Sequence, residues 1–310
     1  MFKLTYKLTK ICYLYIIAMT VSLPVTAQIP IDYTSVVAYN VSSSYSPTHY
    51  AYGTHGPFTA FNKIWVFYSD GEYAVWRTKQ IDPGGDWSEG KYVFNSENAR
   101  YFNMTFDGEY FHFIRAMNGE LKYLRGKALP DGSIQFSAEV TAYSDPLWKV
   151  YHMQTPESYP KPRHFAIATD REQKPWVILK VSDSDGGNAN FKPIALSSIG
   201  SDGTWVSRPG FPSELAVSYK SHANGRAVTV TEIDASKILF TWGNYRTISS
   251  DPEREFHARI WDNGTLGPIE KTGLTWHTSA TSTVVPEPGI AILNSQTEVS
   301  RRNADGSWTR

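Results

Sequence analysis

A single cysteine, Cys12, among 310 residues rules out both a disulfide framework and a cysteine-built zinc site. Net charge is missing as well, since 30 Lys and Arg offset 30 Asp and Glu, and that balance excludes a nucleic-acid binder built on a globally basic surface. Past the first 27 residues no apolar run approaches the roughly 20 residues of a membrane-spanning helix. Nor does any later segment keep apolar residues at helical spacing for three turns, so almost no helix is expected. Aromatics are the abundant class, at 14% of the chain against 19% charged residues. That balance gives a folded chain rather than a disordered one, long enough for one large domain or two small ones.

The first segment has a different character. Lys3, Lys7 and Lys10 stand without an acid, Ile11 to Val25 is nearly all apolar, and Val25-Thr26-Ala27 closes it with small residues. The pattern predicts a secretory signal peptide over residues 1–27, removed after Ala27, and a mature domain over 28–310 that is secreted, periplasmic or extracellular. Removal takes away three lysines and Cys12. The mature domain then carries 27 basic and 30 acidic residues, with no thiol.

Short aromatic and β-branched runs closed by turn residues fill the chain after residue 50. Lys63 to Tyr68 stops at Asp70-Gly71, and Glu72 to Arg77 follows. Tyr101 to Phe106 stops at Asp107-Gly108, and Glu109 to Arg115 leads to Asn118-Gly119. These are hairpin signals. A repeat appears when the turns are aligned: Asp82-Pro-Gly-Gly-Asp-Trp87, Asp131-Gly-Ser-Ile134, Asp202-Gly-Thr-Trp205, Asp262-Asn-Gly-Thr-Leu266 and Asp305-Gly-Ser-Trp308. Their glycines at 84, 132, 203, 264 and 306 stand 48, 71, 61 and 42 residues apart. Several strands per period is the signature of propeller blades. Asp caps the turn, Gly takes the φ > 0 position, and the following large side chain plugs a gap between strands.

The element Asp82-x-Gly84-x-x-Trp87 resembles the Asp-box of bacterial neuraminidase repeats, with Gln80 where Ser or Thr is usual, and Gly200-Ser-Asp202-Gly203-Thr-Trp205 is similar to a degenerate copy. The chain thus resembles the sialidase-like (BNR/Asp-box repeat) β-propeller superfamily. The expected fold is all-β, a propeller of four-stranded antiparallel blades with five visible. Either Ser35 to Val41 supplies a closing strand for a five-bladed ring, or the sequence is a truncated six-bladed propeller.

The resemblance implies a ligand site where the innermost strand of each blade begins, around the central channel. The residues opening those strands include His55, Arg100, Arg163, His164, Arg226 and His277. Arg100, Arg163, Arg226 and His277 are the candidate ligand-binding set. Guanidinium groups hold carboxylate or sulfate through paired hydrogen bonds, which makes the expected partner an anionic oligo- or polysaccharide. His55, His164 and Tyr159 are the candidates for proton transfer in an exo-glycosidase or a polysaccharide lyase. The sialidase resemblance implies an Arg-Ile-Pro element, which is absent; Phe113-Ile-Arg115-Ala116 comes nearest. The alternative is a non-catalytic carbohydrate-binding or protein-interaction propeller.

No cofactor is expected. Asp183-Ser-Asp185-Gly-Gly-Asn188 alternates acids ahead of glycines, a spacing compatible with Ca²⁺ and equally with a polar hairpin tip. Asn40, Asn103 and Asn263 each begin a glycosylation sequon.

Overall fold

The computed structural model describes residues 56–70, 73–82, 85–94, 102–150, 165–183, 190–217, 219–220, 228–245, 254–275, 280–284, 290–295 and 298–310. Among them there is no helix, and the strands form five separate antiparallel sheets in chain order. The predicted signal peptide 1–27 and the strand over Ser35 to Val41 lie outside the described residues.

Sheet one runs β1 (Phe58–Ala60), β2 (Lys63–Ser69), β3 (Ala74–Gln80) and β4 (Lys91–Tyr92). Sheet two holds β5 (Phe102–Phe106), β6 (Tyr110–Met117) and β7 (Glu120–Ala128), with an outer strand in two pieces, β8 (Ile134–Phe136) and β9 (Val140–Tyr143). Sheet three opens on β10 (Lys149–Val150) and β11 (Phe165–Thr169), which both pair with β12 (Pro175–Ser182); β13 (Asn190–Ser197) follows, then β14 (Ser213–Glu214) and β15 (Tyr219–Lys220). Sheet four comprises β16 (Val228–Asp234), β17 (Lys237–Tyr245), β18 (Arg254–Asp262), β19 (Thr265–Leu266) and β20 (Glu270–Thr275). Sheet five comprises β21 (Ala280–Val284), β22 (Ala291–Ser295), β23 (Val299–Arg302) and β24 (Trp308–Thr309). The first strands β5, β11, β16 and β21 pack side by side, so the sheets are the blades of a β-propeller.

Period-two side-chain alternation explains why the middle strands are apolar on both faces. In β6, Phe113 turns into the seam with blade one, among Trp65, Phe67 and Phe111, while Ile114 turns into the seam with blade three. In β12, Leu179 joins the seam with blade two and Ile178 the seam with blade four. Leu239 and Phe240 of β17 divide in the same way between blades five and three. Each such side chain is inaccessible to water, a burial that contributes about 2 kcal/mol per residue. The core is therefore a set of seams.

All five aligned Asp turns fall between the third and fourth strands of a sheet. Gly132, Gly203, Gly264 and Gly306 have φ of +88°, +82°, +96° and +89°, as the turn chemistry requires; Gly84 lies outside the described residues. Asp131 Oδ1 accepts from the backbone N–H and hydroxyl of Ser133, and Asp305 does the same for Ser307. The following Trp fills a seam, as expected, in two copies. Trp205 meets Tyr123 of blade two edge-on at 5.1 Å, and Trp308 donates to Glu270 of blade four. Asp82 instead accepts from Asn62, and Trp87 is half-buried.

A second Asp device closes the turn between first and second strands. Asp107 accepts from the amides of Glu109 and Tyr110, and its other oxygen takes His112 Nε2 at 2.9 Å; His112 Nδ1 lies 2.7 Å from the Tyr123 hydroxyl. In blade three Asp170 caps Glu172 and Lys174 and accepts from Trp176 Nε1 at 2.7 Å. A neutral His112 carrying its proton on Nε2 satisfies both neighbours. Burial of the imidazole outweighs its bond to Asp107 and lowers its pKa. Burial opposes ionisation of Asp107, but bonds from His112, Tyr110 and Glu109 prevail and hold it below the usual range.

The unfolded chain therefore binds the His112 proton first as pH falls through about 6.5. Stability contributed here is full above that pH and declines below it, and the Asp107 contribution disappears further down, below about pH 4. Urea midpoints measured from pH 7.5 to 5 should fall more steeply in wild type than in His112→Gln. Equal slopes would show that His112 carries no such linkage.

Two features of the sequence are placed at this level. Asn103 of the second sequon is buried at 5% exposure in β5, where its side-chain oxygen accepts the Ile167 N–H, so it is closed to glycosylation in the folded domain. Asp183 caps a hairpin, accepting from the backbone and side-chain amides of Asn190. Asp185 lies outside the described residues, and no group of three metal-ligating side chains occurs among those described.

Candidate ligand-binding face

The two ends of the propeller differ in what they can present. The turns between first and second strands and the Asp turns share one end. The other end gathers the starts of the first strands and the hairpins joining second to third strands. That second end is the one singled out by the sequence. His55, Arg100, Tyr159, Arg163, His164, Arg226 and His277 all lie outside the described residues. In the sequence they precede strand starts that are described: Arg100 by two residues before Phe102, Arg163 and His164 by two and one before Phe165, Arg226 by two before Val228, and His55 and His277 by three before Phe58 and Ala280.

The described residues at this end form a donor-rich seam. Lys180 of β12 is 1% exposed and donates its ammonium to the Gly243 carbonyl of β17 at 2.5 Å, across the seam between blades three and four. Gly243 follows Trp242, which lies opposite Val228 at the start of β16 and meets the His257 ring at 6.0 Å. The Trp242 indole N–H and the hydroxyl of Ser182, both sequestered from water, have no hydrogen-bond partner among the described residues. Desolvating two neutral donors without partners is costly. An acceptor-rich ligand or ordered water at this end would relieve that cost.

Arg115, opposite Phe102 in the ladder, is engaged otherwise. It grips Glu139 through Nε and Nη2 at 2.6 and 2.7 Å and lies over the Phe94 ring at 4.4 Å. It sits in the second strand of its blade, and its guanidinium is occupied by packing. Glu139 is committed to that pair. Lys180 is the residue that strand-start reasoning passed over. Its signal was available, because a lysine inside Pro175-Trp-Val-Ile-Leu-Lys-Val-Ser182, a strand buried at every position, is placed where charge is expensive.

The chain matches no protein-family model and no curated protein sequence. Solved structures match at low similarity. A thermostable family-43 glycoside hydrolase aligns over 81% of this chain and 90% of its own, at 13% identity and a TM-score of 0.41. An α-L-arabinofuranosidase from Clostridium thermocellum aligns over 82% and 91%, at 12% identity and 0.37. An endo-arabinase from Bacteroides thetaiotaomicron aligns over 79% and 86%, at 11% identity and 0.37.

Proposed function

We propose that the chain is an exported, sialidase-like β-propeller that takes an anionic glycan at the end where its first strands begin. One observation carries the reading: every Arg or His picked out in the sequence stands within three residues of a first-strand start, and four of those strands pack side by side. Arg100, Arg163 and Arg226 then supply bidentate donors to a carboxylate or sulfate, with His277 beside them. The buried Lys180 adds positive potential to the same end. His55, His164 and Tyr159 are the groups available to move a proton if the glycan is cleaved by hydrolysis or by β-elimination at a uronate.

A non-catalytic lectin is the second reading. It is favoured by a specific feature: described carboxylates of this end are already engaged, Glu139 by Arg115, Glu120 by Lys122, Glu298 by Arg310, Glu255 by the Gly273 N–H and Asp183 by the amides of Asn190. Titration with sialyllactose and trigalacturonate, alongside assays for released sugar and for unsaturated product, separates the two. Arg163→Ala and Arg226→Ala should each weaken binding by about 20-fold, as loss of a charged hydrogen-bond pair predicts. Unchanged affinity in both variants would defeat the anionic-mouth reading. Binding without turnover would leave the lectin.

A further inference from the structure

The end opposite the mouth is not uniform, and its differences trace to the Asp turns. Between blades one and two the turn closes the seam: Trp76 Nε1 reaches the Gly132 carbonyl at 3.4 Å. Between blades two and three it closes again, with Asp202 3.6 Å from Arg125 and Gly203 against Ser137. In blade four the turn is only Asn263-Gly264, with Asp262 paired to Thr265, and a Cβ on Gly264 would meet nothing within 4 Å. A cleft of about 540 Å³ opens there between blades three and four.

Its lining combines indole and carboxylate. Trp261 is half-buried, 4.8 Å from Phe211 and 6.1 Å from Trp176. Trp176 is committed: Asp170 holds its N–H, and the Arg208 guanidinium covers its ring at 4.7 Å. Trp261 is held in place by neighbouring rings while keeping part of its surface toward the cleft. Around it stand Glu172, which is exposed and forms no ion pair among the described residues, and Glu232, which Arg171 holds at 3.1 Å. With Asp170, which Arg208 approaches to 3.8 Å, three carboxylates stand against two arginines, Arg208 in the lining and Arg171 on Glu232, which leaves the charge of Glu172 in excess. The neighbouring cleft between blades four and five is also open, but its lining contains Arg302 and Glu270 and no aromatic residue.

We infer that the cleft between blades three and four is a second saccharide site, taking a neutral glycan whose C–H face stacks on Trp261 and whose hydroxyls donate to Glu172 and Glu232. A partly exposed indole beside planar acceptors is the chemistry that reads a sugar ring. The surplus of carboxylates turns away uronates and sialosides. The site is thus opposite in preference to the mouth, and does not depend on it.

The full chain is titrated with cellohexaose, xylohexaose, mannohexaose and trigalacturonate, read by tryptophan fluorescence and by calorimetry. At least one neutral hexaose should bind. Trp261→Phe, which keeps a ring against Phe211, should weaken that binding about 10-fold, and Glu172→Gln on the exposed rim about 3-fold. Arg163→Ala should leave it unchanged, and trigalacturonate binding should be indifferent to Trp261→Phe. Circular dichroism confirms that each variant is folded, and Glu172→Gln keeps the test decisive if Trp261→Phe is not. Failure of all three neutral hexaoses to bind overturns the proposal, as does neutral binding that survives both cleft variants or is lost in Arg163→Ala. The mouth reading fails by a different result, unchanged trigalacturonate affinity in Arg163→Ala and Arg226→Ala.

Discussion

Glu270→Ala is expected to cost about 3 kcal/mol of folding stability, because it takes the bidentate carboxylate from a buried cation between blades four and five. Glu270 of β20 accepts from Arg302 of β23 through both oxygens, Nε at 3.0 Å and Nη2 at 2.9 Å, and accepts the Trp308 indole N–H at 2.7 Å. Arg302 is 8% exposed. Its charge was desolvated on folding; it also donates to the Asn303 carbonyl at 3.3 Å, and among the described residues Glu270 is the carboxylate that offsets that cost. Removing one partner exacts the desolvation penalty in full, whereas removing both does not.

The double variant Glu270→Leu with Arg302→Met should therefore recover most of the loss, and Glu270→Gln should fall between. The exposed pair Lys127–Glu109 provides the contrast, since solvent screens it and Lys127→Ala should leave the melting temperature where it was. Calorimetric unfolding reads all four variants. A loss below about 1 kcal/mol for Glu270→Ala would mean that the apolar contacts of this seam suffice without the pair.

The contrast between buried and exposed pairs also explains how far the sequence could be read. Strand-and-turn grammar is local chemistry. Asp107-Gly108 and Asn118-Gly119 each specify a hairpin from residues that touch one another, so the predicted runs from Lys63, Tyr101 and Glu109 reappear as β2, β5 and β6 within a residue or two at their starts. The Asp turns were legible for the same reason, as were the strand starts behind the ligand-site expectation. Partnerships across a seam were not. Trp205 meets Tyr123, Lys180 meets Gly243, and Asn103 meets Ile167 at separations of some 60 to 80 residues, and no local pattern encodes which blade face will oppose which. The sequon at Asn103, set between Phe102 and Met104, says nothing of its exposure by itself. Its burial comes from β11, a strand of the next blade.

The same reasoning singles out the Asp turn of blade three. Gly203→Ala should destabilise the protein by about 3 kcal/mol, the sum of a left-handed backbone term of about 1–2 and an overpacking term of similar size. Gly203 has φ +82°, and a Cβ built on it would stand 2.4 Å from both Cβ and Oγ of Ser137 in blade two. Ser137 cannot easily retreat. Its N–H donates to the Arg125 carbonyl at 2.8 Å and its hydroxyl accepts from the Arg125 N–H at 3.3 Å, fixing it to the backbone of β7 through one main-chain and one side-chain bond. Gly264→Ala is the matched control, with φ +96° and open space around the new methyl group. It should carry the backbone term alone. Subtracting the two urea-derived stabilities, with the denaturant slope unchanged in both, isolates the pressure of one blade's turn on the preceding blade. If the two substitutions cost the same, the turn of blade three does not press on blade two, and the account of closed and open seams from which the second saccharide site was derived loses its footing.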